Sequence, residues 1–325
     1  MDWQGVVADG VREHGLNEAR RRELLALGGA SAEPAALVAR LPQVLAGLAG
    51  LLGGLGLIFA IAANWDSLSR TAQFALLQAA VALGALGMIA RPRLRLPLGL
   101  WCLLATGGVL AFFGQTYQTG ADAWQLFALW AGLSLPLALG ARSDAVWSAW
   151  ALVAMTAISL WVSTHTGHRW RAEADDLAVH LVGWGLAWGL AFALNMRRAG
   201  VGVWARRTAA CLAVLLVTAT AVAALFGASP TAQAVLALLV LAGTAWVMAR
   251  PVGFDLFNLS AAALGFNVAM VGGLARLLFR GHVSGDPIGR FLLLGLVAAG
   301  LLAATVSGVL RLSRAAETRR EGGAA

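Results

Sequence analysis

The chain has 325 residues, of which 59% are hydrophobic and only 12% are charged. A soluble domain carries roughly 25% charged residues, so this composition excludes a protein with a mostly water-facing surface. The 24 basic residues are all Arg and give a net charge of +8. They lie mostly at the ends of apolar runs, as membrane topology determinants do, and form no basic face for nucleic acid. We therefore expect a lipid bilayer as partner and no nucleic acid.

Residues 1–41 are polar and predict a cytoplasmic helical segment. Asn17 reads as a helix N-cap, and residues 18–27 predict a short helix after it. The segment is too short for a core of its own and lacks the apolar stretch of a signal peptide. We expect a small helical hairpin that rests on the membrane surface.

From residue 42 onward the chain is a series of apolar runs. The first run, 42–64, would span about 34 Å as a helix, against a hydrocarbon core of about 30 Å. Only helices and closed barrels satisfy the backbone inside a bilayer, and runs without alternation exclude a barrel. We predict an all-α, polytopic transmembrane bundle of about ten helices over residues 42–311, followed by a basic cytoplasmic tail at 312–325. The predicted spans are 42–64, 71–90, 97–115, 122–140, 144–164, 176–194, 207–227, 231–249, 255–275 and 288–311.

The arginines orient these helices. With a cytoplasmic N-terminus, only six of the 24 arginines fall in outside loops. Cytoplasmic loops carry the excess of basic residues, and an even number of helices then places the C-terminus in the cytoplasm as well. The exclusive use of Arg, with abundant Ala and Gly, is typical of a GC-rich bacterial genome. We therefore expect a multi-pass protein of the bacterial inner membrane.

Two repeated tripeptides suggest an internal repeat. Thr71-Ala72-Gln73 begins the second predicted helix and Ala90-Arg91-Pro92 ends it. In the same way, Thr231-Ala232-Gln233 begins the eighth predicted helix and Ala249-Arg250-Pro251 ends it. The copies lie 160 and 159 residues apart. Helices one to four would then correspond to helices seven to ten in a parallel repeat of four helices. The alternative is coincidence in an Ala- and Leu-rich sequence.

Two polar motifs lie where spanning helices end. Asn64-Trp65-Asp66 closes the first helix, and Gln115-Thr116-Tyr117-Gln118 closes the third. The predicted topology places both at the outer interface. There they either converge on a polar pocket or act as interfacial anchors and helix caps. We expect Gln115 and Tyr117 to point into the bundle, with Asn64 and Asp66 as partners of the Gln115 amide. The candidate pocket residues are Asn64, Trp65, Asp66, Gln115, Tyr117 and Gln118.

The order of these motifs resembles a known family. A polar helical N-terminus, a helix ending in Asn-Trp-Asp, a helix ending in Gln-x-Tyr and a Trp-rich helix follow one another over about residues 1–165. This order resembles the bacterial membrane-protein family called domain of unknown function 2157. The resemblance implies a multi-pass inner-membrane protein, and it implies no activity, catalytic residue or cofactor.

Few polar groups lie deep in the predicted helices. Gln78, His180, Asn258 and Asn267 are expected to face the bundle interior, where they would hydrogen-bond or line a pathway. No acidic residue lies at mid-membrane depth, which argues against a proton relay built from carboxylates.

Sequence motifs for catalysis are missing. No GxSxG, HExxH or P-loop pattern occurs, so we predict no enzyme activity, no catalytic residue and no cofactor. The loop at 165–180 is rich in His and carboxylates, but its spacing matches no zinc signature, and we predict a solvated loop without a metal. The chain's only cysteines, Cys102 and Cys211, lie in apolar runs and imply no disulfide.

Small residues recur every four positions in the first and ninth helices. Such stripes let helix backbones approach closely, either within one bundle or across a homo-oligomer. The sequence leaves both alternatives open. The stripes are Ala46, Gly50 and Gly54, and Gly265, Ala269 and Gly273.

Three functions fit these features. A carrier for a small solute fits the helix number, the repeat and the polar helix ends. A non-catalytic structural, accessory or envelope-sensing protein fits the polar N-terminal segment and the lack of chemistry. An intramembrane enzyme that acts on a lipid is the third. A polar cavity that reaches the midplane would favour the carrier, whereas a solid apolar bundle would favour the accessory protein.

Overall fold

The structure, a computed structural model, is built from α-helices. It describes Asn17, Arg20 and residues 35–63, 68–117, 120–167, 172–196, 200–227, 232–250, 254–280 and 287–322. These residues contain no β-strand. Short 3₁₀ turns at Pro92–Leu94 and Ala174–Asp176 lead into the third and sixth helices. The α-helices, numbered in chain order, are α1 (Ala35–Ala63), α2 (Arg70–Ala90), α3 (Arg95–Tyr117), α4 (Ala123–Ala141), α5 (Asp144–His165), α6 (Leu177–Asn195), α7 (Val203–Leu225), α8 (Ala232–Met248), α9 (Leu256–Phe279) and α10 (Pro287–Gly322).

All ten predicted spanning helices are present in the described part of the chain. Eight are long and apolar enough to cross a membrane, and α1 and α8 carry shorter apolar stretches, Leu41–Leu57 and Ala232–Met248. Two helices extend beyond their predicted spans. α1 begins at Ala35, before Pro42, and α10 continues through the predicted tail to Gly322. Both extensions are rich in Ala, Leu, Arg and Glu, which are strong helix formers.

The predicted N-cap is confirmed. Asn17 Oδ1 accepts a hydrogen bond from the backbone N–H of Arg20 at 3.0 Å, which satisfies a donor that the helix itself leaves unpaired. The rest of the expected helical hairpin, residues 1–16, 18–19 and 21–34, lies outside the described residues.

The helices α3 and α9 occupy corresponding positions in the two predicted repeats. α3 packs against α1, α2 and α4, and α9 packs against α7, α8 and α10. The repeated tripeptides also occupy matching places, because Gln73 and Gln233 each begin the buried face of their helix. One contact differs: α7 packs along α8, whereas the described parts of α1 and α2 make at most marginal contact. The common contact order supports the parallel repeat, and the rotation that relates the two sets stays a prediction.

The small-residue stripes pack within one bundle. A methyl group added to Gly50 would lie 2.4 Å from the carbonyl oxygen of Pro97 in α3. A methyl group on Gly265 would lie 2.4 Å from Thr218 Oγ1 in α7. The absence of a side chain at these positions therefore brings α1 onto α3 and α9 onto α7.

Tryptophan side chains link successive helices. Three indole N–H groups each donate to a backbone carbonyl of the preceding helix, which joins α2, α3, α4 and α5 in series. An indole N–H at this depth would otherwise remain unsatisfied, because the bilayer core offers no water. This role of Trp as a link between helices was not predicted from the sequence. The pairs are Trp101–Ala80 at 3.2 Å, Trp130–Leu103 at 2.8 Å and Trp150–Ala131 at 2.8 Å.

Asp144 joins two distant parts of the chain. Its carboxylate, in the first turn of α5, accepts hydrogen bonds from the backbone N–H groups of Gly202 (3.0 Å), Trp204 (2.9 Å) and Ala205 (2.8 Å). These groups form the N-terminus of α7, where a negative charge also interacts favourably with the helix dipole. Gly202 is required here, since a methyl group on it would lie 2.3 Å from Asp144 Oδ2.

Replacing this carboxylate tests its contribution to stability. Asp144→Asn keeps one acceptor oxygen and removes the charge, so we expect a loss of about 2 kcal/mol. Unfolding of the purified protein in detergent, followed by tryptophan fluorescence, measures the change. The control is Asp175→Asn, an exposed carboxylate in the 3₁₀ turn before α6. Equal stability of the two variants would contradict the capping role.

The α1–α3 crossing provides a matched glycine pair. Gly50→Ala should lower stability by about 1–3 kcal/mol, because the added methyl forces the helices apart. Gly56 lies on the same helix with nothing within 4 Å of an added methyl. Gly56→Ala should be neutral or stabilising, since Ala is the better helix former. Equal melting of the two variants in detergent would mean that the helices do not cross at Gly50.

Candidate functional site

The helix connections alternate between the two ends of the bundle. The Arg-rich end, as we call it, carries the α2–α3, α4–α5, α6–α7 and α8–α9 connections, and the Arg-poor end carries the other five. Described arginines at or beside these four connections are Arg91, Arg93, Arg95, Arg142, Arg206, Arg207 and Arg250. The predicted polar motifs both belong to the Arg-poor end.

A groove lies between α3 and α4 at the Arg-poor end. Its volume is about 580 Å³, and we call it the α3–α4 groove. Small residues leave the space: a methyl group on Gly114 would come no closer than 3.9 Å to Leu126. Phe113 and Leu129 are about half exposed along it, so the groove opens to the side of the bundle. Its lining residues are Leu110, Ala111, Phe113, Gly114, Gln115, Gly120, Ala121, Asp122, Ala123, Gln125, Leu126 and Leu129.

Three polar side chains line the mouth of this groove. Asp122 occupies the N-cap position of α4, yet its carboxylate makes no capping hydrogen bond. Gln115 and Gln125 likewise have no side-chain hydrogen bond to any described residue. Gly120 turns the chain between the helices with a φ of +64°, a conformation that favours glycine. The groove thus offers one carboxylate and two amides whose hydrogen-bonding capacity is unused.

The structure corrects the orientation expected for Gln115 and Tyr117. Gln115 is exposed and faces the α3–α4 groove rather than the bundle interior. Tyr117 is 60% exposed, and its ring packs against Phe113 and Phe74, with centroid distances of 4.7 and 6.1 Å. This aromatic cluster of α2 and α3 holds Tyr117 at the surface, as the interfacial-anchor alternative expects.

The other four candidate residues, Asn64, Trp65, Asp66 and Gln118, lie outside the described residues. Their convergence with Gln115 therefore stays a prediction. The groove instead contains two residues that the sequence analysis did not select, Asp122 and Gln125. The two residues are three positions apart at the start of a helix and therefore lie on one helical face, a sequence pattern from which they could have been predicted to act together.

The expectation for Gln78 was also wrong. Gln78 is exposed on the outer face of α2, because the buried face of this helix runs through Gln73, Leu77, Ala80 and Gly84. A single exposed glutamine in a spanning helix therefore marks no pathway in this bundle.

Two of the other three polar residues expected in the interior, Asn267 and His180, have hydrogen-bond partners within the protein. Asn267, buried in α9, donates to Thr305 of α10 at 3.0 Å. His180 is buried, and its Nδ1 lies 2.9 Å from the backbone oxygen of Asp176. Asn258 is half-buried, and its amide oxygen is unpaired. Among the described residues, no three His, Cys, Asp or Glu side chains form a group that could hold a metal.

The centre of the bundle is filled by side chains. Trp147, Val146, Val217, Leu241 and Ala213 are at most 1% exposed. The core extends from α3 to α9 through Trp, Val, Leu and many Ala side chains. The described residues thus form a filled and mostly apolar interior, and the α3–α4 groove lies at its edge.

The N-terminal part of the chain matches a known protein family. Residues 11–147 match the family described as "Predicted membrane protein (DUF2157)". The match confirms the resemblance seen in the sequence. The DUF2157 match ends in the first turn of α5, so it includes the α3–α4 groove, whereas α6–α10 lie beyond it. Neither a curated protein nor a solved structure matches the chain.

Cysteine labelling tests both the groove and the filled interior. In a background without Cys102 and Cys211, we expect Gln115→Cys to react with a membrane-impermeant maleimide added to intact cells, because the side chain is exposed at the predicted outer end. Ala187→Cys, at a fully buried position of α6, should remain unlabelled in cells and in inside-out vesicles. Labelling of Ala187→Cys would reveal an aqueous path through the bundle.

Proposed function

We propose that the protein is a non-catalytic accessory protein of the bacterial inner membrane that binds an amphiphile in the α3–α4 groove. One observation carries this proposal: Gln115, Asp122 and Gln125, whose side chains have no hydrogen-bond partner among the described residues, line an otherwise apolar groove that opens to the side. Ligand sites typically combine apolar walls with a few polar groups of this kind.

The lining favours a particular ligand chemistry. The Asp122 carboxylate only accepts hydrogen bonds when ionised, and the two amides both donate and accept. A head group with ammonium or hydroxyl donors satisfies all three side chains, while Leu126 and Leu129 contact its hydrocarbon part. With the Arg-poor end outside, such a molecule enters sideways from the outer leaflet.

The same residues support a non-catalytic role. Covalent catalysis requires a nucleophile with an adjacent base, and the groove lining contains one carboxylate and no Ser, Cys, Lys or His. The filled interior around Trp147 and Val217 favours an accessory role over an alternating-access carrier.

A solute carrier is the second candidate. Its support is the common packing order of α1–α4 and α7–α10, since many carriers are built from internal repeats. In a carrier, labelling of Ala187→Cys would change with the substrate, whereas the accessory role requires that it stay protected.

Photo-crosslinking tests amphiphile binding directly. The full-length protein is reconstituted with phosphatidylethanolamine that carries a diazirine in its acyl chain, and crosslinked peptides are mapped by mass spectrometry. We expect labelling within residues 110–129. Asp122→Asn should reduce it about fivefold through loss of one charge-assisted hydrogen bond.

A matched leucine pair provides the control. Gly114→Leu fills the groove and should abolish this labelling. Gly132→Leu places the same side chain on α4, where nothing lies within 4 Å of an added methyl. It should leave the labelling unchanged. Equal labelling of all variants would mean that lipid contacts this surface without a site.

A further inference from the structure

A second cavity lies at the Arg-rich end, between α6, α7 and the start of α9. Its volume is about 480 Å³, and we call it the Arg206 pocket. Phe192, which is 66% exposed, forms its outer edge, so the pocket opens toward lipid. It lies at the opposite end of the bundle from the α3–α4 groove and shares no lining residue with it, so a ligand of this pocket is independent of the function proposed for that groove.

The pocket carries an excess positive charge. Arg207 Nε pairs with Asp255 Oδ2 at 3.0 Å. Arg206 donates from Nε to the carbonyl oxygen of Gly202 (3.2 Å) and from NH1 to Asn195 Oδ1 (3.4 Å), both of which are uncharged acceptors. Two guanidinium groups thus face one carboxylate. The pocket is complementary to an anion with a single charge.

Two further polar atoms in the lining are buried without a hydrogen-bond partner among the described residues. They are the indole N–H of Trp188, a donor, and the amide oxygen of Asn258, an acceptor. Such groups normally have partners, as the indoles of Trp130 and Trp150 do. A ligand for this pocket must therefore both accept a hydrogen bond and donate one.

We propose that the Arg206 pocket binds the head group of a phospholipid whose singly charged phosphodiester is accompanied by a hydrogen-bond donor. Phosphate oxygens accept from Arg206 and from the Trp188 indole. A hydroxyl or ammonium group of the same head group donates to Asn258 Oδ1. The glycerol and the first part of the acyl chains lie against Phe192 and Met248. Basic pockets between spanning helices on the cytoplasmic side are suited to such head groups.

Competition between two lipids tests this assignment. Phosphatidylglycerol has one net negative charge and hydroxyl donors, whereas phosphatidylcholine has the same phosphodiester, no net charge and no donor. The full-length protein in detergent is mixed with equal amounts of both short-chain lipids, and native mass spectrometry measures the bound ratio. We expect phosphatidylglycerol to be favoured about fivefold, the effect of one basic side chain near an anionic lipid.

Three variants locate the preference. Arg206→Gln should bring the ratio close to one. Asn258→Leu should also lower it, and because the Asn258 side-chain oxygen has no hydrogen-bond partner among the described residues, we expect little effect on folding. Arg250→Gln is the control, because Arg250 lies at the same end but outside the pocket, stacked 3.7 Å above the Trp246 ring. It should leave the ratio unchanged.

Several outcomes would overturn the proposal. An equal ratio in the unmodified protein would exclude head-group selection. An unchanged ratio in both Arg206→Gln and Asn258→Leu would place the lipid elsewhere. Displacement of phosphatidylglycerol by excess inorganic phosphate would show that the pocket binds a soluble phosphate and not a lipid. Retention of the lipid under these conditions supports the lipid site.

Discussion

The arrangement of the bundle depends on the Asp144 carboxylate, which closes the N-terminus of α7 from the first turn of α5. Three backbone N–H groups donate hydrogen bonds to it. Close by, Gly200 packs against the backbone of Arg142, and a methyl group added to Gly200 would lie 2.3 Å from the Arg142 Cα atom. The α4–α5 and α6–α7 connections are thereby held together. The family match ends in this same helical turn, so Asp144 joins the part of the chain that matches the family to the helices beyond it.

The bilayer explains why the interior formed by the described residues is mostly apolar. Without water, a buried donor is costly unless it has a partner within the protein, and the indoles of Trp101, Trp130 and Trp150 find theirs on the carbonyls of neighbouring helices. Glycines such as Gly50 and Gly265 permit the short interhelical distances on which this packing depends. The result is a filled centre, and the cavities between Gln115 and Asp122 and around Arg206 lie toward the ends of the bundle.

The α3–α4 groove and the Arg206 pocket have a similar construction and differ in charge. Each opens to the side between neighbouring helices and combines apolar walls with polar groups at one end. The α3–α4 groove carries a carboxylate, Asp122, and the Arg206 pocket carries an excess guanidinium. Sites of this kind suit molecules that are themselves amphipathic and that arrive from the bilayer rather than from water. Opposite charge at the two ends would allow the protein to bind different head groups in the two leaflets.

Local sequence patterns were sufficient to predict the helices. Their number, their approximate spans and the Asn17 cap follow from local hydrophobicity and capping chemistry, which depend on neighbouring residues only. The tertiary structure decided which face of each helix is buried, because spanning helices are apolar on all sides and their periodicity is weak. For this reason the sequence did not show that Gln73 is buried and Gln78 exposed. It also did not show that Gln115 lines a groove together with Asp122 and Gln125. The partners of Asp144 and the unpaired atoms of Trp188 and Asn258 also depend on contacts between residues far apart in the chain. No local pattern encodes such contacts.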